Sequence, residues 1–165
     1  MPNECGECGA KLRNDQTECA YCGAAIYDAD EKLLAELMAL ARKYNEALLR
    51  ANRIEVEKCL ADEHQTRLTD AGVEHIWDRK TILENANGDK NFISYNIHDT
   101  ELLERSDEKA VIGCIQTVTR RDHFEEGEFD PYIERGTISF VHRNGRWLIA
   151  SQDTVSIDEN GNVIE

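Results

Sequence analysis

At 165 residues the chain has room for one ordinary domain and a small appendage. Its 33 acidic and 19 basic side chains leave a net charge of -14, which repels phosphate backbones and anionic lipid, so neither nucleic acid nor a membrane surface is an expected partner. The opening MPNECGECGA has no apolar run, and the most apolar helical stretch, Leu33 to Ala41, is interrupted by Glu36. No signal peptide or membrane span is therefore expected, and the expected location is the cytoplasm.

Residues 1–27 carry two near-copies, Cys5-Gly-Glu-Cys8-Gly-Ala and Cys19-Ala-Tyr-Cys22-Gly-Ala. Two residues between cysteines let one tight turn aim both thiolates at one ion, and two such turns complete a tetrahedral set. Six cysteines in a secreted chain would suggest disulfides, but paired doublets without an export signal favour metal. One structural Zn2+ held by Cys5, Cys8, Cys19 and Cys22 is expected. The only apolar side chains of note are Leu12, Tyr21 and Ile26, too few to offset chain entropy of about 1 to 2 kcal/mol per residue without the ion. This stretch resembles a short zinc ribbon. Glu4, Glu7, Asp15 and Glu18 outnumber Lys11 and Arg13, so the expected role is protein contact rather than a grip on phosphates.

From Asp28, with Glu31 three residues on, a helix is expected to run to about Ala51. Leu33, Leu34, Leu37, Met38, Ala41, Tyr44 and Leu48 recur at steps of three and four and form its apolar face. A shorter helix near Ile54–Leu60 brings Val56 and Cys59 inward. His64 to Trp77 reads as two short strands around Asp70-Ala71-Gly72, and Asp78 then caps a third helix over about Arg79–Asn85. Strands follow over Phe92–Glu104 and Ala110–Arg121, and from Tyr132 onward. The last two, within Gly136–Ile157, meet at Asn144-Gly145, the strongest short-range hairpin signal a sequence gives. Strict alternation along the final strand would put Trp147, Ile149, Ser151 and Asp153 on one face and Leu148, Ala150, Gln152 and Thr154 on the other.

Two helices, a short hairpin, a third helix and four antiparallel strands resemble the nuclear transport factor 2-like (NTF2-like) superfamily, especially its SnoaL-like and ketosteroid isomerase-like branches. The resemblance covers about residues 28–157. It is carried by Tyr44-Asn-Glu-Ala-Leu48, Leu60-Ala-Asp62, Gly72 and Asn144-Gly-Arg-Trp-Leu-Ile-Ala150. It implies an α+β fold in which a cone-shaped, curved antiparallel sheet wraps the long helix, with a homodimer through the sheet and a pocket for a small hydrophobic ligand or a peptide. The domains are then a zinc ribbon, 1–27, and an NTF2-like domain, 28–165. Tyr44, Trp77, His98 and Phe140 are the expected ligand-binding residues.

Isomerases of that group pair a helix tyrosine with an acid on one strand and use an aspartate beside the first hairpin as base. Tyr44 stands at the tyrosine position, but a gapless count puts Leu68 where the base belongs, two residues before Asp70, and Thr137 at the acid position. The resemblance thus implies an adaptor or ligand-binding protein ahead of a SnoaL-like acid-base enzyme, for which Tyr44, Asp70 and Asp153 are the catalytic candidates and His98 a further proton carrier. Cys59 and Cys114 read as buried small hydrophobes. The acidic run Glu125, Glu126, Glu128 and Asp130 reads as a solvated loop, and no spacing among His64, His75, His98, His123 and His142 repeats a metal motif.

Overall fold

The computed structural model describes residues 4–12, 18–24, 29–86, 92–120 and 132–165. The chain divides into two compact units, Met1–Glu36 and Leu37–Glu165. In the first, the two Cys-x-x-Cys turns repeat one bonding pattern. The Gly9 N–H donates to the Cys5 carbonyl and the Gly23 N–H to the Cys19 carbonyl, both at 2.8 Å. Gly9 and Gly23 sit at φ of 75° and 72°, a left-handed conformation that side chains resist, so the glycine after each doublet lets the chain turn back. Asp28, the expected helix cap, lies outside the described residues, as do Ile26, His123 and the acidic run 125–130.

Helix α1 (Ala29–Leu49) begins in the first unit and ends in the second. Within the second unit Leu37, Met38, Ala41, Tyr44 and Asn45 are buried along it, at the helical spacing that makes one inward face. Its end is closed by two backbone bonds, Asn52 N–H to the Ala47 carbonyl and Ala51 N–H to the Leu48 carbonyl, the pairing of a Schellman motif. Ala51 holds the left-handed position at φ 53°, where glycine is usual. Asn52 then caps helix α2 (Arg53–Cys59) by accepting from the Glu55 N–H.

Strand β1 (Leu60–Asp70) follows at once and turns back into β2 (Val73–Asp78). Asp78 accepts from the Thr81 N–H and caps α3 (Arg79–Asn85). Strands β3 (Phe92–Arg105), β4 (Lys109–Arg120), β5 (Tyr132–Arg143) and β6 (Arg146–Ile157) form the expected antiparallel meander. Asn144 and Gly145, at φ 52° and 78°, make the tight turn between β5 and β6 that matches strand twist.

The six strands lie in the order β2-β1-β6-β5-β4-β3. The sheet is mixed, where a wholly antiparallel one was expected, because β1 runs parallel to β6. A hairpin that precedes the meander can extend the sheet only by pairing with an open edge, and the final strand provides it in this direction. Residues on Arg143 and Glu63 join β5 to β1 by a two-pronged ion pair.

Two local features bend the sheet. At Gly136 the β6 backbone comes so close that a Cβ would lie 2.0 Å from the Asp153 carbonyl oxygen, so only glycine fits. Opposite Ser139 and Phe140 the register of β6 shifts: Ser139 pairs with Ser151, but Phe140 pairs with Ile149. Ala150 is the extra residue of a bulge. Strict alternation along β6 therefore fails. Ile149 and Gln152 pair with Phe140 and Ile138, two inward residues of β5, and so share the inner face. Among the described residues no helix is long and apolar enough to cross a membrane.

Candidate functional site

In the first unit the sulfurs of Cys5, Cys8, Cys19 and Cys22 all lie within 4.8 Å of one another. Cys5 and Cys22 are 3.6 Å apart, as are Cys8 and Cys19. Four sulfurs about 2.3 Å from a tetrahedral zinc would have edges of about 3.8 Å, whereas a disulfide needs about 2.05 Å. All four thiols are free. The backbone N–H groups of Cys22 and Tyr21 hydrogen-bond the Cys19 sulfur and bring its pKa down to about 7, while Cys22, facing the other sulfurs, is pushed up to about 12. The donor set fits a four-coordinate metal ion, with all four positions filled by protein.

In the second unit the inner sheet face, α3 and the Tyr44–Leu48 turn of α1 line a half-open cavity of about 220 Å³. Leu48, Leu68, Ile82, Val118 and Ile138 form its apolar wall, with Trp77 and Tyr95 as aromatic members. Three of its polar members, Asn45, Gln116 and Glu134, form a row across three elements, and Thr66, Asn85, Gln152 and Thr154 are polar lining residues outside it. The Asn45 amide nitrogen donates to Gln116 Oε1 at 3.3 Å, and Gln116 Nε2 donates to Glu134 Oε2 at 3.4 Å. Glu134 is buried and, among the described residues, is the only carboxylate in the lining. The carboxylate, which can only accept, orients the Gln116 amide, and Gln116 in turn orients Asn45.

Burial also sets the chemistry of the neighbours. It pushes the Cys114 thiol up to about 11, with the Glu134 charge adding to the effect, so Cys114 is a neutral wall rather than a nucleophile near neutral pH. The Tyr44 phenol is pushed up by burial and, less, by Cys59. His64, only 1% exposed, has its pKa lowered by burial to about 4 and is therefore neutral. Its Nδ1 lies 2.9 Å from the Ile149 carbonyl oxygen and must donate there; Nε2 then accepts from the Thr66 hydroxyl at 2.9 Å. Thr66 has one hydrogen, and the nearer His64 takes it ahead of Gln152 Oε1 at 3.4 Å.

Of the residues singled out in the sequence, Tyr44 and Trp77 line the cavity. Phe140 is fully buried in the sheet core and is not in the lining. His98 pairs with Ile115 on the outer face, where Nδ1 meets Asp99 at 2.8 Å and Nε2 meets Thr117 at 3.3 Å. Asp153 is exposed and opposite Thr137. Asp70 closes β1 at the hairpin turn, one alternation step past Leu68, and lies outside the lining. Leu68, which a gapless count puts at the expected base position, is itself in the lining. Glu134, Gln116 and Asn45 are not among the residues expected from the sequence to bind a ligand. For the two strand residues the signal is alternation: counting back from the apolar inward residues Phe140 and Ile138 reaches Glu134, and counting on from Ile112 and Cys114 reaches Gln116.

No family model and no curated protein matches the sequence. Solved structures do match. An NTF2-like protein from Cytophaga hutchinsonii is 11% identical with a TM-score of 0.62, over 79% of this chain and 100% of that one. An NTF2-like protein of unknown function in nutrient uptake from Rhodospirillum rubrum is 15% identical with a TM-score of 0.59, over 74% and 98%. A ketosteroid isomerase-like protein from Erwinia carotovora is 18% identical with a TM-score of 0.56, over 80% and 99%. The fold is NTF2-like. At these identities the likeness extends to backbone architecture and not to the site. The cavity of this NTF2-like chain is therefore described by its own lining.

Proposed function

We propose that the chain is a ligand-binding protein: the NTF2-like unit receives a small hydrophobic molecule in its cavity, and an N-terminal structural zinc site presents a contact surface to a protein partner. The observation that carries this reading is a half-open, mostly apolar cavity with a hydrogen-bonded polar row among its lining, the usual composition of a small-molecule site. About 150 Å³ admits benzene, so 220 Å³ suits one substituted ring or a small fused pair.

Binding is favoured over isomerase-type catalysis because Leu68 and Thr137 occupy the positions at which that chemistry places a base and an acid. The second reading, a SnoaL-like acid-base enzyme, draws support from one feature, Glu134, a buried carboxylate within the cavity. Two copies are proposed to pair through the outer sheet face. Four thiolates and no open ligand position support a structural ion over a hydrolytic one.

The cavity reading is tested by thermal unfolding of full-length protein with single-ring compounds, on wild type and on Ile138→Trp, which fills the space. Stabilisation of wild type that disappears in the variant is expected; equal stabilisation of both, or of neither, overturns it. The metal reading predicts one zinc per chain in reduced protein, and a zinc content near zero overturns it. Protein capture with and without residues 1–27 tests the contact role, which fails if the partners are the same.

A further inference from the structure

A chain of hydrogen bonds runs from the sheet core to the cavity wall, and each step fixes the next. The Ile149 carbonyl can only accept, so the buried, neutral His64 ring must carry its hydrogen on Nδ1, 2.9 Å away. Nε2 is then bare and accepts from the Thr66 hydroxyl at 2.9 Å. That hydroxyl has one hydrogen, now committed to His64, and offers only a lone pair to Gln152.

Gln152 Oε1 stands 3.4 Å from Thr66 Oγ1. With the Thr66 hydrogen on His64, two oxygens would face each other there with no hydrogen between them. Rotating the amide by half a turn puts Nε2 against Thr66 and makes a donor–acceptor pair; an amide has nearly the same shape either way, so its bonding partners assign its oxygen and nitrogen. The Oε1 atom is then free on the far side of the amide. Gln152 lies on the inner sheet face between Thr66 and Ile138, its register partners on β1 and β5. It is half-buried and lines the cavity, and among the described residues Thr66 is its only side-chain partner.

Resting on the ligand-binding reading, we infer that the NTF2-like cavity selects a ring compound carrying a hydroxyl group, a phenol or cyclic alcohol, whose O–H donates to Gln152 Oε1 while its ring lies against Leu68, Trp77 and Ile138. Thr66 and His64 are positioning residues that hold the amide oxygen toward the ligand. A ligand offering only an ether or carbonyl oxygen brings an acceptor to an acceptor, a mismatch that lowers its affinity.

The test is a ligand-observed NMR titration of full-length protein with three probes that share one para-methylated ring: p-xylene, 4-methylanisole and p-cresol. p-Cresol is expected to bind about three- to tenfold more tightly than 4-methylanisole, the range of one neutral hydrogen bond. Gln152→Met, which keeps the side-chain length and removes the acceptor, should bring that ratio to within about twofold. Thr66→Val, which frees the amide to turn, should do the same, whereas Thr66→Ser, which keeps the hydroxyl, should retain the wild-type ratio. If Gln152→Met does not fold, the two Thr66 variants supply the comparison. Equal or tighter binding of 4-methylanisole, a p-cresol preference that survives Gln152→Met, or equal ratios in Thr66→Val and Thr66→Ser would overturn the inference. p-Xylene binding in any of those cases would leave the ligand-binding reading standing. No binding of any probe, p-xylene included, would remove both.

Discussion

His64 gives the fold a measurable dependence on acid. Buried under the β1–β6 pair, its ring stays neutral, and burial lowers its pKa from the usual 6.5 to about 4. The Ile149 carbonyl and the Glu63 charge work against that shift, while Arg79 adds to it. An unfolded chain binds a proton at His64 once pH falls below about 6.5, whereas the folded chain does so only near 4, so acid favours the unfolded state in between. Stability is thus fully present above about pH 6.5 and falls as pH drops toward 4. The two pKa values give a loss of about 2 kcal/mol at pH 5 and about 3 kcal/mol at pH 4, a large share of the 5 to 15 kcal/mol typical of a domain. The assay is urea unfolding followed by tryptophan fluorescence in steps from pH 7.5 to 4, on wild type and His64→Gln. The variant loses stability at pH 7.5, because the Ile149 carbonyl and Thr66 lose a well-placed partner, but its decline with acid should be shallower by that same 2 to 3 kcal/mol. Parallel curves for the two proteins would refute the neutral, buried histidine.

Four further outcomes are expected. Ala51→Gly relieves a left-handed alanine in the Schellman motif of α1 and should raise stability by about 1 kcal/mol in the same urea assay. Gly136→Ala drives a Cβ to 2.0 Å from a backbone oxygen and should lower stability by more than about 3 kcal/mol or prevent folding, read by far-UV circular dichroism. Cys19→Ser, or a chelator at neutral pH, should abolish stoichiometric metal by mass spectrometry while leaving the tryptophan-reported unfolding of the Leu37–Glu165 unit in place. Asp70→Asn and Asp153→Asn should leave ring-compound affinity within about twofold, since neither residue lines the cavity, whereas Ile138→Trp should remove it.

Much of the architecture was legible because it depends on local chemistry. Asn144-Gly145 specified a hairpin turn through the left-handed conformations both residues adopt, and Asp78 specified the start of α3 through its bond to Thr81. The thiol cluster was legible because a Cys-x-x-Cys turn carries its own geometry. What was not legible depends on distant neighbours. The parallel pairing of β1 with β6 joins residues about 85 apart in sequence, as the His64–Ile149 bond shows, and no local pattern records such a choice. The bulge at Ala150 looks like ordinary strand sequence, yet it moves Gln152 to the cavity side and leaves Asp153 outside. Phe140 illustrates the limit of periodicity, which places a residue on the inner face but does not separate packed core from cavity wall. Glu134 was within reach, since a lone carboxylate at a core-facing step of β5 is the kind of residue a binding site keeps.

The central claim is that the space bounded by Tyr44, Leu68, Gln116, Glu134 and Ile138 holds a ligand. It is tested most directly by a co-crystal structure of the full-length protein with toluene. The account predicts electron density for one ring inside the cavity, against Leu68 and Ile138. A cavity filled only by water at saturating toluene, or the ring bound solely on the outer sheet face, would contradict it.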